Sequence, residues 1–331
     1  MEDRKIDTKM TILETEKAIK QVKDLFEVEL ATELHLIRVS APMFVQPESG
    51  LNDNLNGFER PVSFDVPSLS TSVEVVHSLA KWKRYAIKKY GISTGFGLYT
   101  DMNAIRRDEK LDELHSIYVD QWDWEKAIDH SQRTFVTLKE TVLAIVRAIK
   151  RTEETLKRLY PSLFSVVSND VYFISSQELE DLYPTLTPKQ RENKICEKYG
   201  TVFLSQIGCS LKSGKPHDSR SPDYDDWELN GDLLIWYPPL EAAVELTSMG
   251  IRVDTESLEK QLKISGCEDR KKREYHRLLL EGQLPSTIGG GIGQSRLCMV
   301  LLNKRHVGEV QASVWPKAMI IECEEKGIQL L

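Results

Sequence analysis

Residues 286–297 read STIGGGIGQSRL, with glycine at 289, 291 and 293 and an arginine, Arg296, three residues beyond the last. Side chains two apart in a strand share a face, so Gly289, Gly291 and Gly293 clear one face of a sheet down to its backbone. A flat ring can lie there. A helix beginning near Gln294 is expected to turn its positive end toward that face, and Arg296 adds a bidentate contact for a phosphate. The stretch fits neither familiar glycine signature: the P-loop needs Gly-Lys and then Ser or Thr, and the dinucleotide fingerprint needs glycine where Arg296 stands. The competing explanation is a glycine-rich bend made for close packing.

Working outward, Ile19, Val22, Leu25, Phe26 and Leu30 recur at helical spacing across 11–34, ahead of an extended run from His35 to Ala41 closed by Pro42. Residues 74–79 look extended, and 136–159 carry the clearest amphipathic helix. VYFI (171–174) runs into the capping box Ser175–Glu178, Thr187-Pro188 opens a helix ending at Gly200, and 201–208 reads as a strand. Asn230-Gly231 reads as a turn ahead of the strand 233–236, helices follow at 255–264 and 268–281, and the last helix starts near Gln294. Strands cluster without alternating strictly with helices. The expected class is α+β, a mainly antiparallel sheet flanked by helices, in one domain over 1–331.

The balance of 44 basic and 51 acidic residues gives a net charge of −7, which argues against a general binder of nucleic acid or membrane surfaces. Five cysteines form no CxxC pair, the N-terminus MEDRKIDTKM has no apolar stretch, and no run is long enough to span a membrane. A cytoplasmic address is expected.

Four groups carry chemistry. The glycine stretch is the first. In LYTDMNAIRRDEK (98–110), an alternating segment delivers Arg106 and Arg107 before Asp108 and Glu109, and an arginine fork set by an acidic neighbour suits a polyphosphate. In 222–252, Asp232 precedes one apolar strand and Glu245 follows a second; if the strands pair, the carboxylates face one another and suit Mg²⁺ bridged to phosphates. Asp223, Asp225 and Asp226 read as an acidic loop. In HSIYVDQWDWE (115–125), Gln121 and Asp123 share a face opposite Trp122 and Trp124. A small zwitterion satisfies them, with Asp123 taking an ammonium and Lys83 a carboxylate; the alternative is an internal salt bridge between these two. His77 and His115 read as structural, and no nucleophile sits beside a base.

In chain order these groups resemble a class II aminoacyl-tRNA synthetase core, and within that superfamily the ammonia-dependent asparagine synthetase (aspartate–ammonia ligase) family. DNLNG (53–57), EVVHSLAKWKR (74–84), GLYTDM (97–102), HSIYVDQWDWE, PDYDDW (222–227), NGDLLIW through GIRVD (230–254), TIGGGIGQSRL and VQASVWP (310–316) carry the resemblance over nearly the whole chain. It implies that ATP activates the side-chain carboxylate of L-aspartate to a β-aspartyl-adenylate, and that ammonia displaces AMP to give asparagine. It further implies that Arg106 and Arg296 stabilise phosphate charge, that Asp232 and Glu245 hold Mg²⁺, and that Ser116 and the glycine face belong to the ATP site. On the same resemblance Ser78, Lys83, Gln121, Asp123, Ser248 and Arg252 are expected to hold aspartate, Asp53 to place ammonia or take a proton from ammonium, and the helix 11–34 with its following strand to form a homodimer element. Departures are Arg107 in place of proline, Phe96 in place of an acidic residue, Asp101 in place of histidine, and a short loop between Trp227 and Asn230.

Two rivals follow. An aspartyl- or asparaginyl-tRNA synthetase would carry an anticodon-binding module and a basic RNA surface, neither of which the sequence displays. A non-catalytic regulator would share the fold and bind the amino acid or adenylate without turning it over.

Overall fold

The computed structural model describes residues 10–53 and 59–331. The N-terminal stretch 1–9 and residues 54–57 of DNLNG lie outside them. Helix α1 (Ile12–Leu34) starts at Thr11, whose side chain and that of Glu14 exchange hydrogen bonds with each other's backbone. It buries the stripe Ala18, Ile19, Val22, Phe26, Leu30 and Leu34. Strands β1 (Leu36–Arg38), β2 (Phe44–Val45), β3 (Ser63–Val66) and β4 (Thr71–Val75) follow, then α2 (Ala80–Lys89), β5 (Gly97–Ile105) and β6 (Tyr118–Ala127). Helix α3 (Phe135–Leu159), β7 (Val171–Ser175), α4 (Ser176–Leu182), α5 (Pro188–Tyr199), β8 (Thr201–Ser205), β9 (Asp225–Tyr237) and β10 (Ala242–Arg252) come next. The chain closes with α6 (Thr255–Ile264), α7 (Glu274–Leu280), β11 (Thr287–Gly293), α8 (Gln294–Leu301) and α9 (Lys317–Glu325).

Eight strands form one sheet in the order β1-β5-β6-β11-β10-β9-β8-β7, and β2-β4-β3 form a small second sheet. The large sheet is antiparallel through its middle and parallel at both edges, where β1 pairs with β5 and β7 with β8. The expected antiparallel sheet is therefore a mixed one. Along β6, Trp122 and Trp124 enter the main core together with α1, α3 and α8, while Gln121, Asp123 and Glu125 point the other way. That other face is covered at one end by α2 and at the other by α4 and α5, whose Leu179, Ile195 and Cys196 pack on Val202, Leu204 and Leu234. A strip over β6, β11, β10 and β9 is left between them.

Several local readings change. Asn230-Gly231 is no turn, because β9 runs straight through it. Gly231 is needed for close approach: a Cβ there would come within 2.6 Å of the Phe203 ring. The helix expected over 268–281 is a 3₁₀ segment, Glu268–Lys272, followed by α7, and α9 lies beyond the expected last helix. KWKR, read only as basic, belongs to α2. No helix among the described residues is long and apolar enough to cross a membrane.

Candidate active site

A cavity of about 360 Å³ opens over the strip. Its lining includes Asp53, Ser78, Lys83, Arg106, Gln121, Asp123, Glu245, Ser248, Arg252 and Gly291. A smaller cavity of about 160 Å³ adjoins it and is lined by Ser116, Gly291, Gly293 and Arg296. The two share Arg106, His115, Gln121, Glu245 and Gly291, so they form one cleft. All six residues expected to hold aspartate lie in the larger part. Ser116, Gly293 and Arg296, expected at ATP, lie in the smaller.

Register explains the convergence. Gly289, Gly291 and Gly293 stand opposite Glu125, Asp123 and Gln121 of β6, and Gly291 stands opposite Ser248 of β10. Ser248 in turn faces Asp232 of β9. Glu245 and Ser248 are three apart, which in a regular strand puts them on opposite faces. A bulge between Glu245 and Thr247 adds a residue and turns both to the cleft.

Gly293 leaves room as expected, and Gly291 lines both parts of the cleft although Gln121 Oε1 lies 2.5 Å from where a Cβ would sit, but Gly289 lines neither part. The space above it is filled by Glu125 and Arg252: a Cβ on Gly289 would lie 2.5 Å from Arg252 Nη2. Arg252 Nη2 is 2.8 Å from Glu125 Oε2, and Nη1 pairs with Asp225, all three side chains being buried. The bare patch is therefore shorter than the glycine pattern. The start of α8 also differs from expectation, since the Ser295 amide donates to Asp120 Oδ1 at 3.0 Å, on the core-facing side of β6. Arg296 reaches over the strands to the Glu245 carbonyl at 3.0 Å.

Lys83 and Asp123 form the internal salt bridge that was the alternative reading, at 2.8 Å, and Lys83 also donates to the Gly290 carbonyl at 2.8 Å. Burial pulls the Lys83 ammonium below its usual range against the pull of Asp123. Asp108 does not set Arg106; its carboxylate is held far below the usual range by Arg60, which donates from side chain and backbone. Among the described residues the Arg106 side chain has a 3.7 Å contact to Glu109, and its buried Nε has no partner there. Ser78 Oγ donates to Asp53 Oδ2 at 3.1 Å, and Ser116 Oγ lies 2.8 Å from Ser313 Oγ. Of the departures, Asp101 pairs with Arg38 at 2.8 Å, tying β5 to β1, and Phe96 is exposed.

The supposed acidic loop is a set of buried ion pairs. Asp223 accepts from Arg270, His276 and Lys81 at 3.0, 2.9 and 3.3 Å, Asp225 pairs with Arg252, and Asp226 with Arg133. Sequence reasoning also passed over Arg220, whose Nη2 binds both oxygens of Asp232. Its basic charge beside PDYDDW was the available signal. Burial, with Glu245 adding to it, pushes the Asp232 carboxyl up to about 7 even with Arg220 alongside. A buried carboxylate with a second one beside it suits a divalent cation. Among the described residues no three or more His, Cys, Asp or Glu gather as a ligand set, so the donor set fits a metal that arrives with phosphate oxygens of its own.

The fold is that of the class II aminoacyl-tRNA synthetase catalytic core. Asparaginyl-tRNA synthetase of Entamoeba histolytica, solved with asparaginyl-adenylate, matches at a TM-score of 0.65 and 12% identity, over 91% of this chain and 66% of that one. The Pyrococcus horikoshii asparaginyl-tRNA synthetase, also with asparaginyl-adenylate, gives 0.62 at 16% identity, over 91% and 70%. Within that class the particular membership is plain. The aspartate–ammonia ligase family model matches residues 13–327, and the chain belongs to that family. It is 60% identical to the aspartate–ammonia ligase of Clostridium perfringens over 97% of this chain and 96% of that one, and 58% identical to that of Pediococcus pentosaceus over 98% and 97%.

Proposed function

We propose that this protein is an aspartate–ammonia ligase that makes L-asparagine from L-aspartate, ammonia and ATP through a β-aspartyl-adenylate, releasing AMP and pyrophosphate. One observation carries the reading beyond family membership. A single cleft gathers the zwitterion-recognising set around Lys83, Asp123 and Arg252 at one end and the guanidinium groups of Arg106 and Arg296 at the other.

A carboxylate resists attack by ammonia, because it is negatively charged and oxide is a poor leaving group; adenylation removes both obstacles. Aspartate's ammonium meets Asp123 and its α-carboxylate meets Lys83, so one internal ion pair is exchanged for two with the ligand. Ser78, Gln121, Ser248 and Arg252 complete the amino-acid end. The distal carboxylate then points toward Gly291 and the α-phosphorus. Arg106, whose Nε has no partner among the described residues, and Arg296 stabilise the charge that builds on the phosphate oxygens during attack. ATP lies over Gly291 and Gly293 near Ser116, with Gly289 serving the Glu125–Arg252 pair. Mg²⁺ would be held by Asp232 and Glu245, where it supplies charge neutralisation for the polyphosphate. Asp53, buried and bonded to Ser78, collects ammonium at the aspartate end and takes its proton. Most of the rate comes from holding the reactants in line. We read the chain as one catalytic domain, working as a cytoplasmic homodimer.

The test is aspartate-dependent exchange of labelled pyrophosphate into ATP, followed by addition of ammonium or tRNA. Asparagine and AMP formed with ammonium are the expected products. Absence of exchange would point to a regulator, and transfer to tRNA alone to a synthetase.

A further inference from the structure

Arg220 lines the larger part of the cleft, beside the carboxylates read as metal ligands. It lies in the connection between β8 and β9, its side chain is 14% exposed, and its Nη2 straddles both oxygens of Asp232 with Glu245 adding to the attraction. The grip is incomplete. Among the described residues its buried Nε has no partner, and the hydrogen bonds its guanidinium makes all run to one carboxylate. Arg252 on β10 is by contrast held by Glu125 and Asp225 together. Meanwhile side chains on either side of Arg220 are held: His217 Nε2 lies 3.0 Å from Glu192, and Ser221 Oγ donates to Asp223 at 2.8 Å. A side-chain rotation can therefore free the guanidinium without moving the loop.

We propose that Arg220 is a displaceable counter-ion. In the empty cleft it neutralises Asp232; a divalent cation entering with the nucleotide takes the carboxylates, and the released guanidinium turns to the polyphosphate. The proposal rests on the reading of Asp232 and Glu245 as metal ligands. The exchange is favourable in charge, since a single positive charge beside two carboxylates is replaced by a double one, while the guanidinium fork matches phosphate oxygens as well as it matches carboxylate. It also imposes order. Metal alone must break an ion pair with nothing to receive the arginine, whereas metal with nucleotide supplies a new partner, so the protein favours the complex over the free ion. The same residue thus has opposite effects on the two ligands.

That sign difference is the test, because a merely structural defect would weaken both. Mn²⁺ binding to the nucleotide-free full chain is followed by electron paramagnetic resonance for the wild type, Arg220→Gln, Arg220→Lys and Asp232→Asn. The affinity for the Mn²⁺ complex of α,β-methylene ATP is measured alongside. Arg220→Gln is expected to bind free Mn²⁺ roughly tenfold more tightly, because the cost of vacating the site is gone. It should bind the nucleotide complex more weakly, with Arg220→Lys between the two. Unchanged or weaker Mn²⁺ binding by Arg220→Gln, with binding lost in Asp232→Asn, overturns the exchange and leaves the metal site standing. Wild-type Mn²⁺ binding by Asp232→Asn overturns the metal site and the exchange together.

Discussion

Glu125 and Arg252 meet directly over Gly289, 2.8 Å apart and buried, so the first glycine of the alternating set is a structural requirement of an ion pair. Gly291 differs: a Cβ there would meet Gln121 Oε1 at 2.5 Å, the far end of a flexible side chain. Gly289→Ala should therefore cost about 3–5 kcal/mol by breaking a buried pair. Gly291→Ala should cost the fold about 1 kcal/mol or less and act mainly on substrate binding. Denaturant unfolding of the two variants checks this; equal destabilisation would mean that the glycines have one common role.

Arg106→Ala and Arg296→Ala should each lower pyrophosphate exchange by roughly 10²–10³, the usual effect of removing one preorganised donor from a transition-state charge. Among the described residues neither guanidinium supports the core: Arg106 makes one long contact and Arg296 bonds a strand carbonyl at the cleft. Unfolding midpoints should stay at the wild-type value. Exchange at an undiminished rate in both variants would remove the phosphate role of this end of the cleft.

The parts of the fold written in local patterns were legible from sequence. Thr11 and Glu14 begin α1, Ser175 and Glu178 begin α4, and the alternation of Trp122 and Trp124 with Gln121 and Asp123 gave β6 its two faces. Pairings made at long range were not. Nothing near Gly231 announces that Phe203 lies beneath it, so a strand glycine after asparagine reads as a turn. Nothing near Asp223 announces Lys81, Arg270 and His276, so a buried hub reads as a solvated loop. The residues expected at aspartate share one cleft, and the Lys83–Asp123 pair was among the readings, but Asp108 and Arg252 have partners that only the tertiary fold supplies.

Asp223 sets an acid limit on stability. Burial alone would raise its carboxyl, but Lys81, His276 and Arg270 outweigh that and hold it well below the usual range. A depressed carboxylate contributes stability that is fully present above its unfolded value of 3.8 and lost as pH falls from there through the folded value. His276 acts earlier. Burial lowers its imidazole below 6.5 despite Asp223, so the unfolded chain takes up a proton first and stability declines as pH drops below that point. Asp223→Asn should cost about 3–5 kcal/mol at pH 7, leaving Lys81 and Arg270 buried without their counter-charge. The gap between variant and wild type should narrow below pH 4. Urea titrations from pH 3 to 7 decide it, and a gap constant across that range would mean that Asp223 is not the linked group.

A substitution at Asp53 should separate the two half-reactions. The residue is buried beside Ser78, in the larger part of the cleft and away from the Arg296 end. If it collects ammonium and removes a proton, it has no part in forming the adenylate. Asp53→Asn keeps the size and the hydrogen bond to Ser78 but loses the charge and the basicity. Pyrophosphate exchange should then stay within about threefold of wild type, while asparagine formation falls by roughly 10²–10⁴, the usual contribution of a positioned base. Because hydroxylamine needs no deprotonation to act as a nucleophile, it should restore much of the lost transfer. Equal losses in exchange and synthesis, without rescue, would place Asp53 in the scaffold of the aspartate pocket and leave ammonia without an assigned base.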